Sequence, residues 1–171
     1  MTVAPTLSAP AAPPGSRLVN ILSTEVKVKV SSGTSKDAKC MLDGSAETCW
    51  TSDNLPPNSD PSSARYLLSF KLPQPLSLQQ LHSLSLTFAG GFSPMSFNIV
   101  ASEQDGKTWV PVAADLFPKD TNAKQYFDLS SSLPAVPKQA DWLRFELNGS
   151  TDDYGRVTIY QAEVFAAVEV S

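Results

Sequence analysis

Asp141-Trp142-Leu143-Arg144-Phe145-Glu146-Leu147 alternates apolar and polar residues one by one. A period of two puts Leu143, Phe145 and Leu147 on one side of an extended chain, which is the pattern of a half-buried β-strand. The same signal recurs outward from this stretch. Val26-Lys27-Val28-Lys29-Val30 alternates cleanly, and Tyr66–Phe70 and His82–Phe88 do much the same. Phe97-Asn98-Ile99-Val100 and Thr108-Trp109-Val110-Pro111-Val112 flank Asp105-Gly106, a short-range hairpin signal. Tyr126–Leu129 adds a short strand, and Val157–Val168 closes the chain with a long β-branched apolar run. Helical periodicity is nearly absent; Met41-Leu42 and Leu76–Leu81 could hold about a turn each. Most of the 14 prolines fall in the connecting stretches, as expected of residues that spoil helices and central strands. About eight strands at short spacing, with no helices between them, predict an all-β, eight-stranded antiparallel jelly-roll β-sandwich.

The 171 residues are one domain's worth. Residues 1–16, rich in Pro, Ala and Ser, read as a disordered leader that cannot bury enough apolar surface to order itself; residues 17–171 read as the domain. The first residues carry neither a basic region nor an apolar run, so no signal peptide is expected. No stretch reaches the length of a membrane span. The net charge is −4. Without a Lys/Arg cluster, direct binding to nucleic acid or to anionic membrane is disfavoured. The two cysteines, Cys40 and Cys49, are too few for a disulfide framework and are expected to be reduced in the cytosol or nucleus, with a Cys40–Cys49 bridge as the alternative.

Catalytic signals are missing. His82 is the single histidine, set in a strand pattern, and no Ser or Cys stands in a recognisable nucleophile setting. C-x-x-C, H-E-x-x-H, G-x-S-x-G and phosphate-loop patterns are absent from the sequence. A non-enzymatic binding module is therefore expected.

Three segments carry a more specific likeness. Asp43-Gly44-Ser45-Ala46-Glu47-Thr48-Cys49-Trp50 resembles the D-G-x-x-x-T-x-W signature of discoidin, or coagulation factor V/VIII C-type, domains. Ser102–Trp109 is similar to that family's S-x-D-G-x-x-W hairpin with one extra residue, and Gly155–Val164 resembles its final strand. In order and spacing the three cover Leu18 to Val168. The resemblance implies a galactose-binding-like sandwich whose ligands meet the loops at one end. A narrower likeness, through Ser23–Ser32, Asp43-Gly44 with Glu47-Thr48-Cys49-Trp50, Phe88–Ser93 and Tyr154–Tyr160, points to a single-domain, nuclear-receptor-associated group within that fold. It implies a nuclear or cytoplasmic adaptor, with repression of a nuclear receptor as one such role. A ciliary or cytoskeletal assembly stays open. A longer leader and the insert Leu55–Ala64 depart from that group.

On the expected loop rim the candidate partner-binding residues are Trp50, Ser52, Asp53, Gly90, Gly91, Phe92, Ser93, Tyr154 and Arg156. Phe92 would be an aromatic anchor, or would fold back over the sandwich. Arg156 offers a planar fork for a carboxylate or carbonyl, or pairs with Asp152 or Asp153. Trp50, Trp109 and Trp142 are expected in the core. Calcium, the cofactor bound by many members of the fold family, would draw on Asp43, Thr48 and Glu163; otherwise Asp43-Gly44 simply turns the chain and Thr48 satisfies it. A protein partner is the leading expectation, a carbohydrate the alternative.

Overall fold

The computed structural model describes residues 4–103, 106–130 and 139–170. Two antiparallel sheets face each other. One holds β1 (Ser16–Asn20), β10 (Thr158–Glu169), β5 (Leu81–Phe88) and β8 (Gln125–Asp128) in that order, with β3 (Trp50–Thr51) on the rim end of β10. The other runs β2 (Lys27–Val30), β4 (Arg65–Ser77), β9 (Gln139–Asn148), β6 (Ser96–Ser102) and β7 (Val110–Leu116). This is the expected jelly roll, with ten strand segments among the described residues rather than eight. The additions are β3, only two residues long, and β1, whose Ser-Arg-Leu-Val-Asn sequence does not alternate.

Alternation decides the layers. Leu143, Phe145 and Leu147 of β9 are almost fully buried, while Trp142, Arg144 and Glu146 face outward and stay half-exposed. Phe145 sits between Phe70 at 5.3 Å and Phe97 at 6.3 Å, and Phe97 meets Phe127 edge-on at 5.0 Å, tying the two sheets together. Such pairs add about 0.5–1.5 kcal/mol each beyond the area they bury. In β4 the register with β9 breaks between Lys71 and Leu76, where Pro73 and Pro75 cannot donate to the ladder.

The β6–β7 hairpin forms where expected, by a longer connection than a two-residue turn; Asp105 lies outside the described residues. Among the described residues helix is confined to α1 (Ser35–Ala38) and 3-10 turns at Lys39–Leu42, Pro61–Ser63 and Leu78–Gln80. Cys40 and Cys49 stand as free thiols. Ahead of β1, Thr6 exchanges two backbone hydrogen bonds with Tyr126 of β8, at 2.9 and 2.8 Å; residues 1–3 of the leader lie outside the described residues. No helix among the described residues is long and apolar enough to cross a membrane.

Two expectations about tryptophan need correcting. Trp50 is in the core, fully buried, with its Nε1 donating to the Ser32 carbonyl at 3.1 Å. Trp109 and Trp142 are not. Both lie half-exposed on the outer face of the second sheet, because Trp142 shares the parity of Arg144 and Glu146 rather than that of Leu143 and Phe145.

Candidate functional site

β3 pairs with the start of β10 through Trp50↔Ile159 and Thr51↔Thr158. This brings the loop after β3 against the loop before β10. Ser52 N donates to the Val157 carbonyl at 3.0 Å, Val157 N donates to Ser52 Oγ at 2.9 Å, and Leu55 N donates to the Tyr154 carbonyl at 2.9 Å. The turn after β5 joins them. Thr158 N donates to the Phe92 carbonyl at 3.0 Å, Ser93 N to Thr151 Oγ1 at 3.0 Å, and Thr151 N to the Ser93 carbonyl at 2.9 Å. Three loops far apart in sequence thus form one rim. Gly155 is what lets them close: its φ is +78°, and a Cβ there would fall 2.3 Å from Leu55 Cδ1.

At the centre of the rim the Arg156 guanidinium lies 5.1 Å from the Phe92 ring and 5.5 Å from the Tyr154 ring, within cation–π range of both. Asp152 orients it. Arg156 Nε donates to Asp152 Oδ2 at 2.9 Å, and the Arg156 backbone amide donates to the same oxygen at 3.1 Å. Ser150 Oγ closes the loop, donating to the Arg156 carbonyl at 2.6 Å and accepting from Asp152 N at 3.0 Å. Partial burial works against the Asp152 charge. The Arg156 side-chain and backbone hydrogen bonds, the Arg156 charge and the Tyr154 amide outweigh it and hold the carboxyl below its usual value. The hydrogen bond to Asp152 correspondingly raises Arg156 above the ordinary guanidinium. Tyr154 is 64% exposed, a large ring left open to solvent. Of the two sequence readings of Arg156, the pairing with Asp152 is present, and it holds the guanidinium near both rings.

The other candidates divide. Trp50 and Ser52 are buried and build the rim from beneath rather than facing a partner. Ser93 is 1% exposed and donates from Oγ to Asp120 Oδ1 at 2.9 Å. Gly90 N and Gly91 N donate to Asn122 Oδ1 and Asp120 Oδ1, at 2.6 and 2.8 Å. Asp53 is exposed and accepts from Gly33 N at 3.3 Å. Phe92 is half-buried beneath Arg156. Sequence reasoning missed Asp120, Asn122 and Thr151, which clamp the Gly90–Ser93 turn. Only the polar run Lys119-Asp120-Thr121-Asn122 could have flagged a turn there, without saying what it grips.

The calcium set does not fit a metal shell. Thr48 Oγ1 donates to Asp43 Oδ2 at 2.7 Å, and Ser45 N donates to Asp43 Oδ1 at 2.8 Å, so Asp43 closes its own turn. Glu163 accepts from Ser85 Oγ at 2.8 Å and is ion-paired with Lys124, whose ammonium already supplies the positive charge. Among the described residues no three His, Cys, Asp or Glu side chains gather into a metal site. His82 is buried, with Nδ1 3.1 Å from Ser83 Oγ.

No family model matches the sequence. The chain is 34% identical to nuclear receptor 2C2-associated protein of Xenopus laevis, over 86% of this chain and 98% of that one. It is 32% identical to the protein of the same name from Mus musculus, over 74% and 76%. Among solved structures it resembles the family 32 carbohydrate-binding module of Clostridium perfringens NanJ in complex with galactose. There the TM-score is 0.62 at 18% identity, covering 87% of this chain and 99% of that one. A chitosan-binding module from a Paenibacillus chitosanase/glucanase matches with a TM-score of 0.61 at 16% identity, covering 85% and 98%. These likenesses establish the galactose-binding-like sandwich.

Proposed function

The chain belongs to the nuclear receptor 2C2-associated protein family, and on that footing we propose that it is a non-catalytic protein-interaction module binding its partner through the loop rim. The observation that carries this reading is the Phe92–Arg156–Tyr154 stack, held in place by Asp152 with Tyr154 left open. Tyr and Arg are the residues on which interface energy concentrates. A pre-oriented Arg also loses less freedom on binding than a mobile one. The relatives' name makes a nuclear receptor the first partner to test and an intracellular site of action, nuclear or cytoplasmic, the reading to go with it.

One observation favours a second reading. A solved neighbour holds galactose, and an exposed aromatic face beside an Arg is also sugar-binding chemistry. The test is biolayer interferometry of wild type and Arg156→Ala against purified nuclear receptor 2C2, with and without galactose. Saturable binding that is at least tenfold weaker in the variant and indifferent to galactose supports the protein reading. Saturable galactose binding that Arg156→Ala removes, without receptor binding, supports the sugar reading. Binding unchanged by Arg156→Ala overturns the rim as the site.

A further inference from the structure

The outer face of the second sheet carries a groove that the rim does not use. Its volume is about 280 Å³. The floor is Ser69 of β4 with Trp142 and Arg144 of β9; one wall is Lys29 of β2, the other the β6–β7 connection with Gly106 and Trp109. Arg144 lies flat on Trp109 at 3.9 Å and donates from Nε to Ser69 Oγ at 2.8 Å. The ammonium groups of Lys29 and Lys71 stand over Trp142 at 5.4 and 5.9 Å. A Cβ on Gly106 would sit 3.0 Å from the Trp142 ring, so Gly106 lies directly against that indole.

Three features of this face point the same way. Lys29, Lys71 and Arg144 converge on it, and the described lining residues include no Asp or Glu. In a chain of net charge −4 that is a segregated positive field. Arg144 is hydrogen-bonded to a neutral hydroxyl, unlike Arg156, and Glu146, two residues along β9, offsets its charge only in part. Finally, among the described residues the wall strand β2 ends the sheet order, pairing only with β4. Its outer backbone edge can receive an extended chain.

We propose that this groove is a second binding site, for an extended acidic peptide segment of a partner, with carboxylates meeting Lys29, Lys71 and Arg144 and apolar side chains lying on Trp109 and Trp142. It is independent of the rim reading, since no residue is shared. An edge strand with flat indoles suits a single extended polypeptide better than a duplex or a membrane surface.

The test is fluorescence anisotropy with a labelled twelve-residue peptide of alternating Glu and Pro, on the full chain. Comparison proteins are Lys29→Gln/Lys71→Gln and, as a charge-matched control away from the groove, Lys36→Gln/Lys39→Gln; circular dichroism confirms folding of each. Expected are saturable binding by wild type and by the control, at least tenfold weakening in the groove variant, and steady loss with added salt. A Lys/Pro peptide of equal length should not bind. The proposal is overturned by no binding, by equal loss in both double variants, or by tighter binding of a single-stranded oligonucleotide than of the acidic peptide.

Discussion

The molecule presents two arginines against aromatic rings, and they are built differently. Arg156 on the rim is gripped by Asp152, so its charge is largely matched and what it offers is a rigid Phe–Arg–Tyr surface. Arg144 on the sheet face is held by the neutral Ser69 hydroxyl and by the Trp109 ring. Burial lowers its pKa from the usual guanidinium value, and Glu146 opposes that shift only in part. The same residue type thus yields a shape-defining contact in one place and a charge only partly offset, by Glu146, in the other. What surrounds the guanidinium, not the guanidinium itself, sets which kind of partner each surface suits.

The sharpest way to break the comparison is to dismantle the rim alone. Gly155→Ala forces a Cβ into Leu55 at a φ of +78°, and overpacking plus left-handed strain should cost about 2–4 kcal/mol in urea unfolding. Gly44→Ala, at a φ of +75° with open space around it, carries only the strain and should cost about 1 kcal/mol. Equal effects would mean that the Leu55 contact yields freely and does not brace the rim.

Next in size, Arg144→Ala loses its ring contact and the Ser69 hydrogen bond and should destabilise by about 1–2 kcal/mol while leaving rim binding intact. Arg156→Ala should do the reverse, with a small change in Tm and a tenfold or greater loss of partner affinity. If both variants behave alike in the two assays, the division between the surfaces fails.

Quenching tests the charge difference directly. Iodide should quench the Trp109 and Trp142 emission about twofold more than caesium does, because the anion is drawn into the positive groove; the buried Trp50 should respond to neither. Lys29→Gln/Lys71→Gln should erase the preference.

The smallest effect concerns Asp152. Its folded-state pKa lies below the ordinary 3.8. Its contribution is therefore fully present above 3.8 and fades as pH falls through the depressed value. The Tm gap between wild type and Asp152→Asn should be constant from neutral pH down to 3.8 and close below it. A gap that widens on acidification would show that the pair does not stabilise the fold.

The layers of the sandwich were legible because period-two alternation reports which residues share a face. In β9 it separated Leu143, Phe145 and Leu147 from Trp142 and Arg144. The error over Trp142 came from reading residue type ahead of parity: a large aromatic suggests a core, yet its neighbours two residues along are charged. Trp109, just before β7, is likewise in step with the exposed Pro111 and out of step with the buried Val112. The Arg156–Asp152 pair was legible as a local spacing. The grip of Asp120 and Asn122 on Gly91 and Gly90 was not, since those partners meet only when β8 pairs with β5. The calcium motif misled for a related reason. Its Asp and Thr are present, but they satisfy each other, and the acid that would complete the shell is held by a lysine.

The pairing of β1 with β10 has a mechanical consequence. Ser16 lies opposite Glu169, and the two strands run antiparallel. A pull applied between residue 16 and residue 170 therefore loads their ladder one rung at a time, as a zipper, rather than all rungs together in shear. Tension delivered through the ends should peel β1 away at low force. The rim sits at the opposite end of β10, beside Thr158, about 36 Å from Glu169. A partner seated there would feel little of the first step of such a pull.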